Sequence, residues 1–237
     1  MNEIDKIYYI NLDHRTDRNN HVKYQFNNID TKYQLTRFSA INGDTFDFSP
    51  YEYLFKNIGY VNQVYCNRVK GNSLSHFLLW EEIEKNNHKL SIILQDDVVL
   101  HPKFDHHLIN IIKNIPDNAE IIWIGALKFA SYSYSKRGIK PFMVPFDLNS
   151  IDNSYCQPVN ESIGHSNIAS YTTAYLITER GVQNLLAHYR NSGFTNCTDF
   201  DIENYLKTKK INYISIPVLC TTNPQLGSDI FNHTYKK

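Results

Sequence analysis

Two adjacent carboxylates interrupt a strongly apolar stretch of the chain. Residues 91–94, Ser-Ile-Ile-Leu, stop at Gln95-Asp96-Asp97, and the apolar pattern resumes at Val98. Burying a carboxylate is costly unless a cation or a hydrogen-bond network compensates it. Oxygen ligands at a strand end suit Mg²⁺ or Mn²⁺, which bridge to substrate phosphates. The pair therefore predicts a metal site, and the alternative is a shorter strand whose following acids lie in water.

Two arginines follow the first strand of the chain. Residues 6–12 predict a strand, and Arg15 and Arg18 come directly after it, before a helix predicted at 21–27. The carboxyl ends of strands are where α/β sheets place their ligands. An arginine there can pair with phosphate or stack on a base. The alternative is a solvated basic turn.

Three further residues have both a functional and a structural interpretation. Asp199 and Asp201 open a predicted helix at 199–209, where acids commonly stabilise the helix N-terminus by ~0.3–1 kcal/mol. His76 lies one turn into a helix predicted at 73–86. It is either a core histidine or a residue at the edge of the active site, and we favour the edge because helix N-termini attract phosphate.

Strands and helices alternate along the whole chain, without repeats, charge blocks or low-complexity linkers. This pattern predicts one α/β domain, residues 1–237, with a mostly parallel sheet. Residues 44–65 are aromatic and irregular, which suits a surface excursion. Residues 131–157 form a long segment without clear structure, and such a segment usually carries function. Besides those named above, we expect strands at 36–40, 120–125, 170–178 and 211–216 and helices at 104–114 and 179–189.

The composition excludes several classes of partner. The 24 basic and 24 acidic residues balance, so no bulk field attracts nucleic acid or an anionic membrane. The start of the chain lacks the pattern of a signal peptide, and no apolar run is long enough to span a bilayer. The four cysteines show no metal or redox spacing. We expect a cytoplasmic protein with free thiols, and the oligomeric state stays open.

Several segments together resemble glycosyltransferase family 25, which covers lipopolysaccharide-biosynthesis and procollagen galactosyltransferases. Residues 92–98, Ile-Ile-Leu-Gln-Asp-Asp-Val, resemble the family's Ile-Leu-Glu-Asp-Asp-Val motif. In the expected order, residues 9–18 resemble its opening Ile-Asn-Leu…Asp-Arg, 38–43 its Ala-x-x-Gly turn and 71–80 its Gly…Ser-His helix start. Residues 173–178 and 199–206 resemble its Ala-Tyr-Leu-Ile strand and its acidic helix start. The matches span almost the whole chain.

The resemblance implies a GT-A fold, a Rossmann-like domain with a mixed, mostly parallel central sheet. It also implies a uridine diphosphate (UDP) sugar donor and Mn²⁺ or Mg²⁺. Asp97 then becomes the direct metal ligand, and Asp96 faces the donor's ribose or sugar. GT-A enzymes often add a histidine from the chain's end, so His233 is a second candidate ligand, the alternative being a solvated side chain. Gln95 departs from the family's Glu, and an amide is a poorer partner for a cation.

The same resemblance assigns the remaining site residues. Asn11, Leu12, Arg15 and Arg18 lie where the family binds the nucleotide. Gln95 and Asp96 belong to the same donor-binding set, with His76 at its edge. Sugar transfer to a hydroxyl needs a base. Asp201 is the first choice for this base, and Asp199 is the second.

These expectations describe an inverting transferase that moves galactose or glucose from a UDP-sugar to a hydroxyl of a glycan or of a collagen-like protein. Residues 131–165 are the expected acceptor side. One rival is an inactive GT-A module that binds sugars or partners, which Gln95 favours. Another is a phosphate-ester hydrolase or nucleotidyltransferase built on the Asp pair, although neither a second acidic cluster nor a Gly-rich phosphate loop supports it.

Overall fold

A computed structural model describes residues 3–58, 63–135, 138–145, 148–149, 154–168 and 171–230, with only the backbone at 63–65 and 128–145. The strands are β1 (Lys6–Asn11), β2 (Leu35–Ser39), β3 (Leu90–Gln95), β4 (Val98–Leu100), β5 (Ile121–Trp123), β6 (Leu127–Ser135), β7 (Gly138–Pro145), β8 (Cys156–Pro158), β9 (Ile163–Ser166), β10 (Ala174–Thr178), β11 (Tyr213–Ser215) and β12 (Cys220–Thr222). The helices are α1 (Thr16–Asn27), α2 (Gln63–Lys85), α3 (Phe104–Lys113), α4 (Glu179–Ser192) and α5 (Thr198–Thr208).

One large mixed sheet organises the molecule. Its eight strands lie in the order β2-β1-β3-β10-β5-β11-β9-β8. The β1–β2, β1–β3 and β5–β11 pairs are parallel. β10 runs antiparallel to both β3 and β5, and β9 runs antiparallel to β11 and β8. The predicted α/β class with a mixed central sheet is confirmed.

β1 and β3 are neighbouring interior strands of this sheet, and both are strongly apolar. Residues 7–10 and 90–94 are all buried, as expected of parallel strands covered on both faces. Their register pairs Ile10 with Gln95. Asn11 and Asp96, the next residues along the two strands, therefore emerge side by side at the same edge of the sheet.

A small second sheet returns the end of the chain to this edge. β4 begins directly after Asp97 and pairs antiparallel with β12. The backbone N–H of Asn223 donates to the carbonyl oxygen of Asp97 at 2.7 Å. Residues that follow β12 are therefore held next to the acidic pair.

Helix α2 differs from its prediction. It begins at Gln63, ten residues before the predicted start at Ser73, and Gly71 lies inside it. A Cβ at position 71 would lie 2.7 Å from the carbonyl oxygen of Ile41 and 2.9 Å from the N of Gly43. The glycine, which normally weakens a helix, is here required by the close approach of the segment after β2.

The segment predicted to lack regular structure contains a hairpin. β6 and β7 pair antiparallel from Leu127 with Pro145 to Ser135 with Gly138, with an irregularity between Ala130 and Ser133. Prolines within a strand obscure such a pattern in the sequence. Among the described helices, none has the length and apolar character that crossing a membrane requires.

We expect Gly71→Ala to destabilise the protein by about 1–3 kcal/mol, the usual cost of overpacking. Alanine is the better helix former by about 1 kcal/mol, so a helix-propensity effect alone would have the opposite sign. Urea unfolding monitored by circular dichroism measures the difference. An unchanged or increased free energy of unfolding would contradict the close approach of residues 41–43.

Candidate active site

A buried ion pair lies where β1 and β3 end. Nη1 of Arg18, in the first turn of α1, donates to Oδ1 of Asp96 at 2.5 Å. Nδ2 of Asn11 donates to Oδ2 of the same carboxylate at 2.8 Å. Asn11 is itself held by Nε of Arg37, which donates to its Oδ1 at 2.9 Å. Asp96 is thus buried with both oxygens satisfied.

Asp97 is less well compensated than its neighbour. Its Oδ1 is buried and has no hydrogen-bond partner among the described residues, while Oδ2 lies 3.6 Å from Nη2 of Arg18. Burial raises the pKa of Asp97 to about 6, the charge of Arg18 opposes that rise and the charge of Asp96 adds to it. For Arg18, burial lowers the pKa, but the charges of Asp97 and Asp96 outweigh burial and raise it. Asp97 therefore presents an oxygen that lacks a positive partner.

The residues after β12 bind both arginines. Nη1 of Arg15 donates to Oδ2 of Asp229, and its Nη2 donates to the carbonyl oxygen of Leu226 at 3.0 Å. Nη2 of Arg18 donates to the carbonyl oxygen of Gly227 at 2.5 Å, and its Nε lies 3.8 Å from Oδ2 of Asp229. No local sequence pattern indicates these contacts, because more than 200 residues separate the partners.

These groups face a cleft. Leu12, Arg18, Gln95, Asp96 and Asp97 contribute to one wall. The other walls come from the turn after β2, from α2 and from the chain's end: Ala40, Ile41, Asn42, Gly43, Asp44, Arg68, Asn72, Ser75, Ser228, Asp229 and Ile230. The structure therefore brings together most of the predicted nucleotide-site residues, with Asn11 and Arg15 directly behind them.

The cleft contains an ion pair that sequence reasoning missed. Nε and Nη2 of Arg68 donate to the Asp44 carboxylate at 2.7–3.1 Å. Asp44 follows the Ala-x-x-Gly turn, and Arg68 lies in the part of α2 that precedes the predicted helix start at Ser73. A correct prediction of where α2 begins would have placed Arg68 near this turn.

Gln95 connects the acidic strand end to the segment before β10. Its Nε2 donates to Oγ1 of Thr172 at 2.8 Å. The preceding residue, Tyr171, has its pKa raised by burial and by the negative charge of Asp199. On the other side, Nδ2 of Asn72 in the cleft wall donates to Oγ1 of Thr198 at 3.3 Å. The N-terminus of α5 therefore lies beside the cleft without lining it.

The two acids of α5 have different environments. Asp201 accepts from the backbone N–H and hydroxyl of Thr195, both at 2.7 Å, and from the N–H of Asn196 at 3.0 Å. Those bonds fix the turn before the helix. Burial raises the pKa of Asp199, against opposing hydrogen bonds from Cys197 and the Phe200 backbone. The hydrogen bonds of Asp201 therefore have a structural role, and Asp199, the second predicted choice, is the acid whose pKa burial raises.

Comparison with known families adds a finding that is independent of the geometry. Residues 4–200 match the model of glycosyltransferase family 25, described as an LPS biosynthesis protein family. This chain belongs to glycosyltransferase family 25. The match includes the acidic strand end, both arginines and Asp199. Comparison with curated proteins gives no match.

Among solved structures, the family 25 chain is similar to mouse xyloside xylosyltransferase 1 in its apo form. The two share 12% sequence identity and a TM-score of 0.33, over 84% of this chain and 69% of the mouse chain.

The described part of the family 25 site supplies few metal ligands. It contains no group of three or more His, Cys, Asp or Glu side chains arranged to hold a metal. The unpartnered Asp97 oxygen still fits a Mg²⁺ or Mn²⁺ whose other ligands are phosphates and waters, as is usual for these ions. His233 lies outside the described residues.

His76 lies in the core and not at the edge of the site. Its side chain is fully buried, and its Nδ1 lies 2.8 Å from the hydroxyl of Tyr175 on β10. The expected position rested on a helix start at Ser73, whereas α2 begins at Gln63, so the helix N-terminus is far from His76. The alternative interpretation, a core histidine that links the helix to the sheet, is the one observed.

This burial predicts a pH-dependent stability. Burial lowers the folded-state pKa of His76 to about 3, whereas an unfolded histidine titrates near ~6.5. Between those values only the unfolded state binds the proton, so stability falls as the pH falls. From pH 7 to pH 5 this residue alone costs about 2 kcal/mol.

We expect His76→Phe to show a correspondingly smaller loss of unfolding free energy over that interval, measured by urea titration at both pH values. An equal loss of unfolding free energy in the two proteins between pH 7 and pH 5 would contradict the assignment of a neutral buried histidine.

Proposed function

We propose that this family 25 glycosyltransferase moves a hexose, galactose or glucose, from a UDP-sugar to a hydroxyl of a glycan or a collagen-like protein, with a divalent metal and with inversion. One observation carries the proposal. Two arginines and an incompletely compensated carboxylate, Asp97, converge where β1 and β3 end. Guanidinium groups are suited to phosphate oxygens, and the free carboxylate oxygen is suited to the metal that a diphosphate brings with it.

Each residue has a distinct part in this reaction. Asp97 would hold the metal, which when bound neutralises the departing diphosphate. Arg15 and Arg18 pair with the phosphate oxygens, while Asn11 and Arg18 hold the Asp96 carboxylate in place toward the donor. Asp199 removes the proton from the acceptor hydroxyl. Its raised pKa makes this carboxylate a stronger base than an ordinary aspartate.

The acceptor side is proposed to include the β6–β7 hairpin and the β8–β9 pair, which together cover most of residues 127–166. β9 and β8 lie at the edge of the eight-stranded sheet away from β1, and the β6–β7 hairpin follows β5 in the chain. A glycan and a hydroxylysine-containing protein both present a hydroxyl to the base, so the proposed chemistry is the same for either acceptor.

The rival function is an inactive module that retains the fold. Gln95 favours it, because an amide replaces the family's first acid. Metal-dependent hydrolysis of UDP-galactose or UDP-glucose would eliminate this rival.

We expect UDP, but not GDP, to bind the protein by isothermal titration only when Mn²⁺ is present. Asp97→Asn should weaken that binding by about 100-fold or more, since losing even an outer-shell partner of a metal site costs about 10- to 100-fold. Gln95→Glu is the matched variant. The substitution adds a carboxylate that can accept a hydrogen bond from the Thr172 hydroxyl. We expect Mn²⁺ to bind this variant more tightly than it binds the wild type.

Equal binding of UDP by the wild type and Asp97→Asn, or binding of UDP without metal, would contradict the role of Asp97. Failure of both nucleotides to bind under any condition would contradict the transferase proposal itself.

The two acids of α5 should separate catalysis from stability. We expect Asp199→Asn to lower kcat for donor hydrolysis by about 10²–10⁴-fold, the usual contribution of a general base, with UDP affinity unchanged. Asp201→Asn should instead destabilise the fold by about 1–3 kcal/mol, because buried donors lose an acceptor. Initial rates and thermal unfolding of both variants distinguish these effects. A larger kcat loss in a well-folded Asp201→Asn would restore the original assignment.

A further inference from the structure

The chain's own C-terminal segment occupies the anion position of the cleft. A carboxylate oxygen of Asp229 lies between Arg15 and Arg18. The carbonyl oxygen of Leu226 accepts a hydrogen bond from Arg15, and the carbonyl oxygen of Gly227 accepts one from Arg18. Two guanidinium groups thus meet three oxygen acceptors from one short segment. A diphosphate would present the same kind of acceptors to the same donors.

The conformation of the segment is well defined. A 3-10 turn over Pro224–Leu226 is capped by Oδ1 of Asn223, which accepts from the N–H of Gln225 at 3.1 Å. Gly227 then has φ of 70°, in the left-handed region that favours glycine. This glycine turns the chain so that Ser228, Asp229 and Ile230 line the cleft. The turn forms a natural hinge, since β12 fixes the residues before it.

Space and charge both argue that this arrangement excludes the donor. The cleft has a volume of about 210 Å³, below the ~300–1,000 Å³ usual for ligand pockets. Asp229 also adds a third negative charge beside Asp96 and Asp97, within 4 Å of Arg18. A diphosphate cannot share the two arginines with that carboxylate without strong like-charge repulsion.

We infer that residues 226–230 form a self-inhibitory strap, with Asp229 as an internal competitor for the diphosphate of the donor. The strap swings away at Gly227 when the donor binds. This inference rests on the proposed function, because it takes Arg15 and Arg18 as the phosphate-binding residues. Apparent donor affinity is then reduced by the fraction of molecules in which the strap is open.

The test is isothermal titration of UDP and of inorganic pyrophosphate into the wild type and Asp229→Asn, in EDTA and in Mn²⁺. In Mn²⁺, removing the competing charge should tighten the binding of both probes by about tenfold, as expected when the competent state becomes the major one. The matched control is Asp17→Asn. Asp17 also pairs with Arg15, at 2.8 Å, but its side chain is 55% exposed and lies outside the cleft lining, so this variant makes the same charge change without opening the site.

A second measurement follows the strap itself. Hydrogen exchange in the peptide that contains residues 223–230 should become faster when UDP saturates the wild type, because the segment leaves its bonds to the arginines. Increased protection there would overturn the inference, since the segment would then be closing on the donor.

The outcomes separate the two proposals. Unchanged or weaker UDP binding in Asp229→Asn, or equal tightening in Asp17→Asn, overturns the strap while leaving the transferase proposal intact. Weaker binding confined to Mn²⁺ would make Asp229 a metal ligand instead. Absence of UDP binding in every folded protein overturns the proposed function and the strap together.

Discussion

The need to compensate carboxylates at a buried strand end determines how this site is built. Asp96 emerges from β3 beside Asn11 of β1 because those strands are parallel and in register. A buried carboxylate without a partner is strongly destabilising. The first turn of α1 supplies that partner, since Arg18 reaches Asp96 at 2.5 Å and Asn11 completes its hydrogen bonds. The helix, both strands and the loop between them are therefore linked through one ion pair.

Much of this arrangement could be predicted from local sequence. The apolar runs of β1 and β3 end at Asn11 and Gln95, and parallel strands bring such ends together. That reasoning places Leu12, Arg18 and the acidic pair near one another without any structural knowledge. The α/β class follows in the same way from alternating periodicities, because each element carries its own pattern of apolar residues.

The errors arise where a distant partner overrides the local pattern. The predicted helix begins at Ser73, yet Gly71 lies inside α2, where the chain near Ile41 packs against it. That shift moved His76 from a helix start into the core. The oxygens of Asp201 also accept from the backbone of Thr195 and Asn196, contacts that an acid at a helix start does not reveal in the sequence. The contacts of Asp229 with residues more than 200 positions away leave no periodic or motif signal at all.

Charge balance connects these features into one mechanism. When the strap occupies the cleft, the positive charges of Arg15 and Arg18 balance the negative charges of Asp96 and Asp229. Asp97 then has a raised pKa and an oxygen without a hydrogen-bond partner among the described residues. When a diphosphate replaces Asp229, the two arginines remain but the site gains more negative charge than it loses. A divalent cation on the free Asp97 oxygen would restore the balance. Displacement of the strap and recruitment of the metal are therefore expected to accompany each other, because each compensates for the charge that the donor brings.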